Sequence, residues 1–319
     1  MSLIRTLPPL AAVVVLLAAV AMLCQCRDPE PPGPQAAAPV TSTGAGAAYE
    51  HTRNIVSFGP RPPGSAGLRK TRAYLTEQLK ASGWKVGSQQ FTAPTPGGEK
   101  TFINLLARFD PEDDPELWTR PVTGLLACHI DSKVLGRGTR FVGADDAASA
   151  AGLLLELARQ LATTPERARQ LEIVFFDGEE SIGPTMTEAD GVYGSRRYAA
   201  RWLNSATKPI FGIVFDMIGH RDLQVRYPPD SPESLAALLR ESAEAEGAAE
   251  RFAPAPAPIL DDHVPLNNVG IPTIDIIGDF ANSDWWHTER DNLSLISRES
   301  LDLTLRIAKR MLDELLPAQ

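Results

Sequence analysis

The chain has 319 residues, 43% of them hydrophobic, enough to bury a substantial core in one large or two modest domains. Its net charge of -9, with no basic stripe, excludes the electrostatic footprint of a nucleic-acid binder. An acidic surface favours solubility and a mild preference for cationic partners.

The first segment, "MSLIRTLPPLAAVVVLLAAVAMLCQC", reads as a targeting element, residues 1–26, with Arg5 before an unbroken apolar stretch from Leu10 to Leu23. Its length suits a cleaved export signal or an uncleaved membrane anchor. Cys24 and Cys26 would also suit lipid attachment of a lipoprotein, although Leu23 and Gln25 stand where such a motif wants a small residue. Export to the periplasm or another extracytoplasmic space follows in each case. Residues 27–46, rich in Pro, Ala and Gly, read as a disordered tether. Cys128 then has no mate in the remaining chain, so no disulfide framework exists and a buried, inert thiol is expected.

A folded domain is expected over residues 47–319. Ser65 opens a helix in which Leu68, Leu75 and Leu79 recur at helical spacing, with Gly83 as its stop. "WKVGSQQF", "TFINLLARF" and the buried "VTGLLACHID" follow as strands, then "AASAAGLLLELARQLA" as a helix. "LEIVFFD" is a strand, "SRRYAARWL" a helix and "IFGIVFDMIG" a strand. "SPESLAALLRESAEAEG" is a helix opened by Ser231 and closed by Gly247, "VGIPTIDII" a strand, and a last helix runs from about Ser297 to Leu316. Continuous apolar strands alternating with helices predict an α/β fold: one domain with a central mixed, mostly parallel sheet covered by helices on both faces. Ligands of such sheets bind beyond the carboxyl ends of the strands.

Polar residues stand at those ends. His129 and Asp131 follow one strand; Asp177, Glu179 and Glu180 another; Asp216 a third; Trp285, Trp286 and His287 come after "PTIDII" and its loop. Asp145 and Asp146 precede the helix "AASAAGLLL". A single His after a strand is usually a hydrogen-bonded surface group, and a lone DGEE is usually a turn. Five such positions on one sheet edge point instead to a zinc or co-catalytic zinc site. Burying two adjacent glutamates is costly unless each has a task. Side chains leaving a strand in succession point apart, so one can bind metal while the other faces substrate as general base.

These motifs resemble the zinc aminopeptidase clan and its glutaminyl cyclase relatives. "SFGPRPPGSAGLRKTRAYL" looks like the clan's opening helix; "CHIDSK", "GADDAAS", "FFDGEE", "FDMIG" and "WHT" follow in the clan's order. The likeness runs from about His51 to the C-terminus. "HIDSK", "FFDGEES", "YGSRRYA", "LDDHVPL" and "WWHTERDNLSLI" resemble the glutaminyl-peptide cyclotransferase branch in particular. The resemblance implies an α/β/α sandwich in which Asp146, Glu180 and His287 bind one catalytic Zn2+. It implies Glu179 as proton shuttle, Asp216 and Asp261 as a carboxylate network with it, and Trp286, Lys133 and Asp275 at the substrate pocket. The implied substrates are peptide or protein N-termini bearing Gln. Asp275 departs from the family, standing where the animal cyclases carry a pocket His; Cys128 also lacks the disulfide mate found there, with Ala151 near the partner position.

One rival is a di-zinc aminopeptidase. Its ligand set is complete as well, with His129 and Asp216 joining Asp146, Glu180 and His287, so the ligands alone do not separate the two activities. A receptor-like binding module of the clan would have lost ligands that this chain keeps. Among the remaining residues, Asp131 reads as a group orienting His129 or a ligand. Asp145 reads as a neighbour of the ligand, Trp202 as helix core, and Trp285 as either pocket wall or packing. His263 is expected in a loop, and His51 and His220 at the surface or in loops.

Overall fold

The computed structural model describes residue 40 and residues 42–316, apart from 137 and 282. The export segment, Cys24, Cys26 and most of the tether lie outside the described residues. In chain order the elements are α1 (Ala45–Ser57), α2 (Ala66–Ala81), β1 (Trp84–Thr95), β2 (Gly98–Phe109) and β3 (Gly124–His129). Then come α3 (Ala150–Leu161), α4 (Pro165–Ala168), β4 (Leu171–Phe176), α5 (Tyr193–Ala199), β5 (Phe211–Asp216) and β6 (Val225–Tyr227). The chain continues through α6 (Glu233–Ala245), β7 (Phe252–Pro254), α7 (His263–Asn268), β8 (Thr273–Ile277) and α8 (Arg298–Leu315). Among the described residues, no helix is long and apolar enough to cross a membrane.

Six strands form one sheet in the order β1-β2-β4-β3-β5-β8. The β1–β2 hairpin is antiparallel, from Trp84 opposite Phe109 to Thr95 opposite Gly98, and β2 runs antiparallel to β4. β4, β3, β5 and β8 are mutually parallel. Strand alternation sorts their side chains between two cores. Leu126, Cys128, Ile173, Phe175, Ile213, Phe215, Ile274 and Ile276 join Ile55, Leu75, Leu154, Leu239 and Ile307 from α1, α2, α3, α6 and α8. Leu125, Ala127, Val174, Phe176 and Val214 join Tyr198, Trp202 and Leu266 on the other face. Phe175 is wholly enclosed, and truncating such a side chain to Ala costs about 3–5 kcal/mol. Cys128 is a free, buried thiol, and burial pushes its pKa up.

Helix ends follow the sequence signals with one exception. Ser65 and Ser297 accept the backbone N–H of Leu68 and Ser300 and so cap α2 and α8. Gly247, at φ 69, ends α6. Ser231 does not cap that helix: Pro232 occupies the N-cap with no side-chain bond, and the Ser231 hydroxyl has no partner among the described residues.

Two helices carry no strong local signal. α1 begins at Ala45, two residues before the expected domain start at 47, with no side-chain cap. It is held by packing on α3, where a Cβ on Gly152 would meet the Thr52 hydroxyl at 2.4 Å. His51, expected at the surface or in a loop, is instead buried in α1, its Nδ1 2.6 Å from the Tyr74 hydroxyl. α7 turns the expected loop around His263 into a short helix that buries this residue. His220 is half-buried, stacked on Trp285, and Trp202 is core as expected.

Candidate metal centre and cavity

The four parallel strands deliver their last residues to one edge, and local backbone chemistry aims each side chain. β3 ends at His129 and β5 at Asp216. After β4 the chain turns at Gly178, where φ is 80 and a Cβ would lie 2.5 Å from the Phe102 ring, so only glycine fits. The Asp131 carboxylate accepts the N–H groups of Glu179 (3.2 Å) and Glu180 (3.3 Å) and fixes that turn. Asp146 leaves a loop begun by Gly143, at φ 51, where a Cβ would overlap the Asp146 carbonyl. His287 itself has φ 52, a strained backbone for a non-glycine residue.

Asp146 joins two clusters. His287 Nε2 is 3.3 Å from Asp146 Oδ2 and 3.2 Å from Glu180 Oε1. His129 Nε2 is 3.2 Å from Asp146 Oδ1 and 3.3 Å from Asp216 Oδ1. The donor atoms of Asp146, Glu180 and His287, and those of His129, Asp146 and Asp216, lie within 4.8 Å of one another in each set. Both ring nitrogens of His129 and Asp216 Oδ1 are buried without a hydrogen-bond partner among the described residues. Buried polar atoms are normally paired, so the unpartnered donors of His129 and Asp216 fit a cation between them, whereas His287 Nε2 and Glu180 Oε1 are within hydrogen-bond distance of each other. Imidazole and carboxylate without thiolate suit zinc.

Electrostatics separate the carboxyls. Burial pushes Glu179 well up, with Asp261 and Glu180 adding to the rise and His129 opposing it. Burial raises Asp216 and Asp261 in the same way, Asp275 adding to the rise of Asp261. Asp146 is opposite: against burial, the neighbouring imidazoles of His129 and His287 hold it well below the usual carboxylate range. His287, despite its burial, is raised to about 9 by Asp146 and Glu180.

These groups open on a cavity of about 450 Å³. Glu179, Asp216 and Asp261 line it together with Asp146, Glu180 and His287, one of the two sets that could hold a metal. Trp286 forms a wall, 38% exposed, its ring stacked 3.9 Å from that of His287. Lys133 also lines it, 3.6 Å from Glu180 Oε2 and donating to the Ser181 carbonyl at 3.0 Å. Asp275 is the exception among the expected pocket residues. It is wholly buried and does not line the cavity, because alternation along β8 sends Ile274 and Ile276 to one face and Asp275 to the other, beneath α7. There it meets His263 Nδ1 at 3.3 Å and raises the Asp261 pKa electrostatically. Asp145 accepts the Gly219 N–H and belongs to neither metal group. Trp285 packs on Met217 and Ile277 and is absent from this cavity's wall.

Sequence reasoning missed other participants. Met186, Ile259 and Phe280 complete the wall, and single apolar residues in loops give no signal. Arg61 and Asp291, both fully enclosed, hold the loop that carries Asp146. A lone Arg between glycines and prolines has no pattern to betray it.

A family model described as "Peptidase family M28" matches residues 104–312. The glutaminyl-peptide cyclotransferase-like protein of Mus musculus is 32% identical over 267 residues, covering 72% of this chain and 66% of that protein. A solved glutaminyl cyclase from Porphyromonas gingivalis superposes with TM-score 0.74 at 30% identity, covering 85% of this chain and 98% of its own. A Zn-dependent exopeptidase from Parabacteroides distasonis gives TM-score 0.73 at 27% identity, covering 88% and 100%.

Proposed function

The chain belongs to peptidase family M28, and we propose that it is a zinc-dependent glutaminyl-peptide cyclotransferase. It converts N-terminal glutaminyl residues of peptides or proteins to pyroglutamate and releases ammonia. The likeness to the glutaminyl-peptide cyclotransferase-like protein of Mus musculus and the glutaminyl cyclase of Porphyromonas gingivalis supports the reaction. The observation that carries the mechanism is one buried carboxyl, Glu179, which lines the cavity beside Asp146, Glu180 and His287 but belongs to neither metal group.

Asp146, Glu180 and His287 would hold one Zn2+, which when bound supplies a Lewis acid that polarises the substrate's γ-carbonyl. The α-amine of the same glutaminyl residue is the nucleophile, so attack is intramolecular and gains from proximity. Glu179 takes a proton from the amine as the new C–N bond forms and returns it to the γ-amide nitrogen, which leaves as ammonia. Its raised pKa keeps it able to hold that proton in the cavity. Asp216 and Asp261 share the proton load, since neighbouring buried carboxyls cannot all ionise. Lys133 fixes Glu180, and Trp286 with its apolar neighbours seats the substrate and excludes water. No water is consumed.

Residues 1–26 would carry this domain to the periplasm, by a cleaved signal, an anchor or a lipid on Cys24 or Cys26. A paired assay tests the reading: a glutaminyl dipeptide amide, a leucyl chromogenic amide, and the metal content of the same sample. Ammonia release from the first, none of the second hydrolysed, and about one zinc per chain is expected. Hydrolysis of the leucyl amide with about two zincs would make His129 and Asp216 working ligands and the protein an aminopeptidase.

A further inference from the structure

The loop that presents Asp146 is gripped from two sides by residues that line no part of the cavity and belong to neither metal group. Arg61 spreads its guanidinium across three carbonyls: Nε donates to Ile130 at 3.0 Å, Nη1 to Val142 and Nη2 to Gly143 at 2.8 Å. Its own backbone is tied down as well, its N–H bonding Ser132 Oγ and its carbonyl accepting the Ser132 N–H. From the other side the Asp291 carboxylate accepts the N–H of Asp145 at 2.7 Å and of Asp146 at 3.1 Å. The Asp291 carbonyl takes the Ala144 N–H at 3.4 Å. Five consecutive residues, 142 to 146, are therefore fixed through their peptide groups, carbonyls on Arg61 and amides on Asp291.

The grip spans the whole centre. Arg61 ties the loop to the residue after His129, and Asp291 ties it to the segment that ends β8's excursion and carries His287 four residues earlier. The carboxylates of Asp291, Asp146, Asp131 and Glu180 offset the cost of enclosing the guanidinium completely. Arginine suits the task because its planar fork serves three acceptors in fixed directions, which a lysine ammonium does not.

We infer that Arg61 and Asp291 are positioning residues for the metal centre, acting through the backbone of Asp146 to set the distance between Asp146 and His287 before a metal arrives. This rests on the metal-site reading above. Groups behind metal ligands typically alter affinity by roughly 10–100-fold when changed.

The test uses the whole protein, its metal-free form titrated with zinc against a chromophoric chelator, in the parent, Arg61→Lys and Asp291→Asn. Asparagine offers one oxygen for two amides, so one N–H of the loop loses its partner. Each folded variant is expected to bind zinc at least about tenfold more weakly than the parent, with kcat falling more than KM rises. A smaller change in affinity overturns the inference, whatever happens to melting temperature, because a merely structural role would move only the latter. Should Arg61→Lys fail to fold, Asp291→Asn decides alone. Zinc binding by the parent in the same titration, lost in Asp146→Asn, tests the underlying reading separately.

Discussion

Replacing Glu179 by Gln separates proton transfer from metal binding. Gln keeps the volume and a hydrogen-bonding end but cannot carry the proton. The carboxyl is almost enclosed, its Oε2 is 3.9 Å from His129 Nδ1, and it belongs to neither metal group. A positioned acid–base group contributes about 10²–10⁴ in rate, or roughly 3–5 kcal/mol at about 1.4 kcal/mol per tenfold. Turnover should fall by that factor with zinc content unchanged. Stability should hold, since Gln keeps the side chain's volume and burial already disfavours the charged form of Glu179. Ammonia release gives kcat, atomic absorption gives the metal, and a thermal melt gives the third quantity. Activity within about tenfold of the parent would place the base elsewhere. Loss of zinc together with activity would make Glu179 a ligand.

His287→Ala removes a nitrogen from the Asp146–Glu180–His287 set, so zinc and activity should disappear together; a chelator should then lower the parent's melting temperature but not the variant's. Trp286→Ala strips a wall that stacks on His287 and packs tilted against Phe280, and kcat/KM for a glutaminyl peptide should drop by about tenfold or more, chiefly through KM. Buried His51 titrates at about 4 instead of 6.5, burial being the main cause, Glu156 raising it and Arg159 lowering it. The unfolded chain takes up that proton first, so stability present above about pH 6.5 is lost as pH falls toward 4, by up to about 3 kcal/mol. His51→Gln should flatten this part of the profile in denaturant titrations, and an unchanged slope would refute the assignment.

The sheet was legible because each parallel strand is a largely apolar run, with only Glu172 in β4 and Asp275 in β8 interrupting it, and burial on both faces demands that composition. The strand-end carboxylates were legible for the complementary reason: polar groups directly after such a run have few places to go but the sheet edge. α1 was not legible, since its stability comes from contact with α3 at Gly152, a tertiary fact with no local signature. Asp275 shows the limit of motif reasoning. It occupies a position matched by a pocket residue in relatives, yet a single step of strand alternation puts it under α7, where it bears on Asp261 and not on a ligand. Arg61 and Asp291 act on peptide groups, and backbone acceptors leave no imprint in a sequence.

The candidate metal ligands alone do not choose between cyclisation and peptide hydrolysis, since one set of His and carboxylate groups would serve both. What differs is the nucleophile. Hydrolysis needs an ordered water within reach of the base, whereas cyclisation needs the substrate's own amine there and gains when water is kept out. The cavity is built toward the second requirement. Its walls beyond the carboxylates include Met186, Ile259, Phe280 and Trp286, and Lys133 is engaged with Glu180 and Ser181. A glutaminyl side chain folded back on its own amine fills such a space and brings nucleophile, electrophile and Glu179 together without a third component. The choice of reaction is thus written in the apolar wall and the base, and the strand ends supply only the charge that makes either reaction feasible.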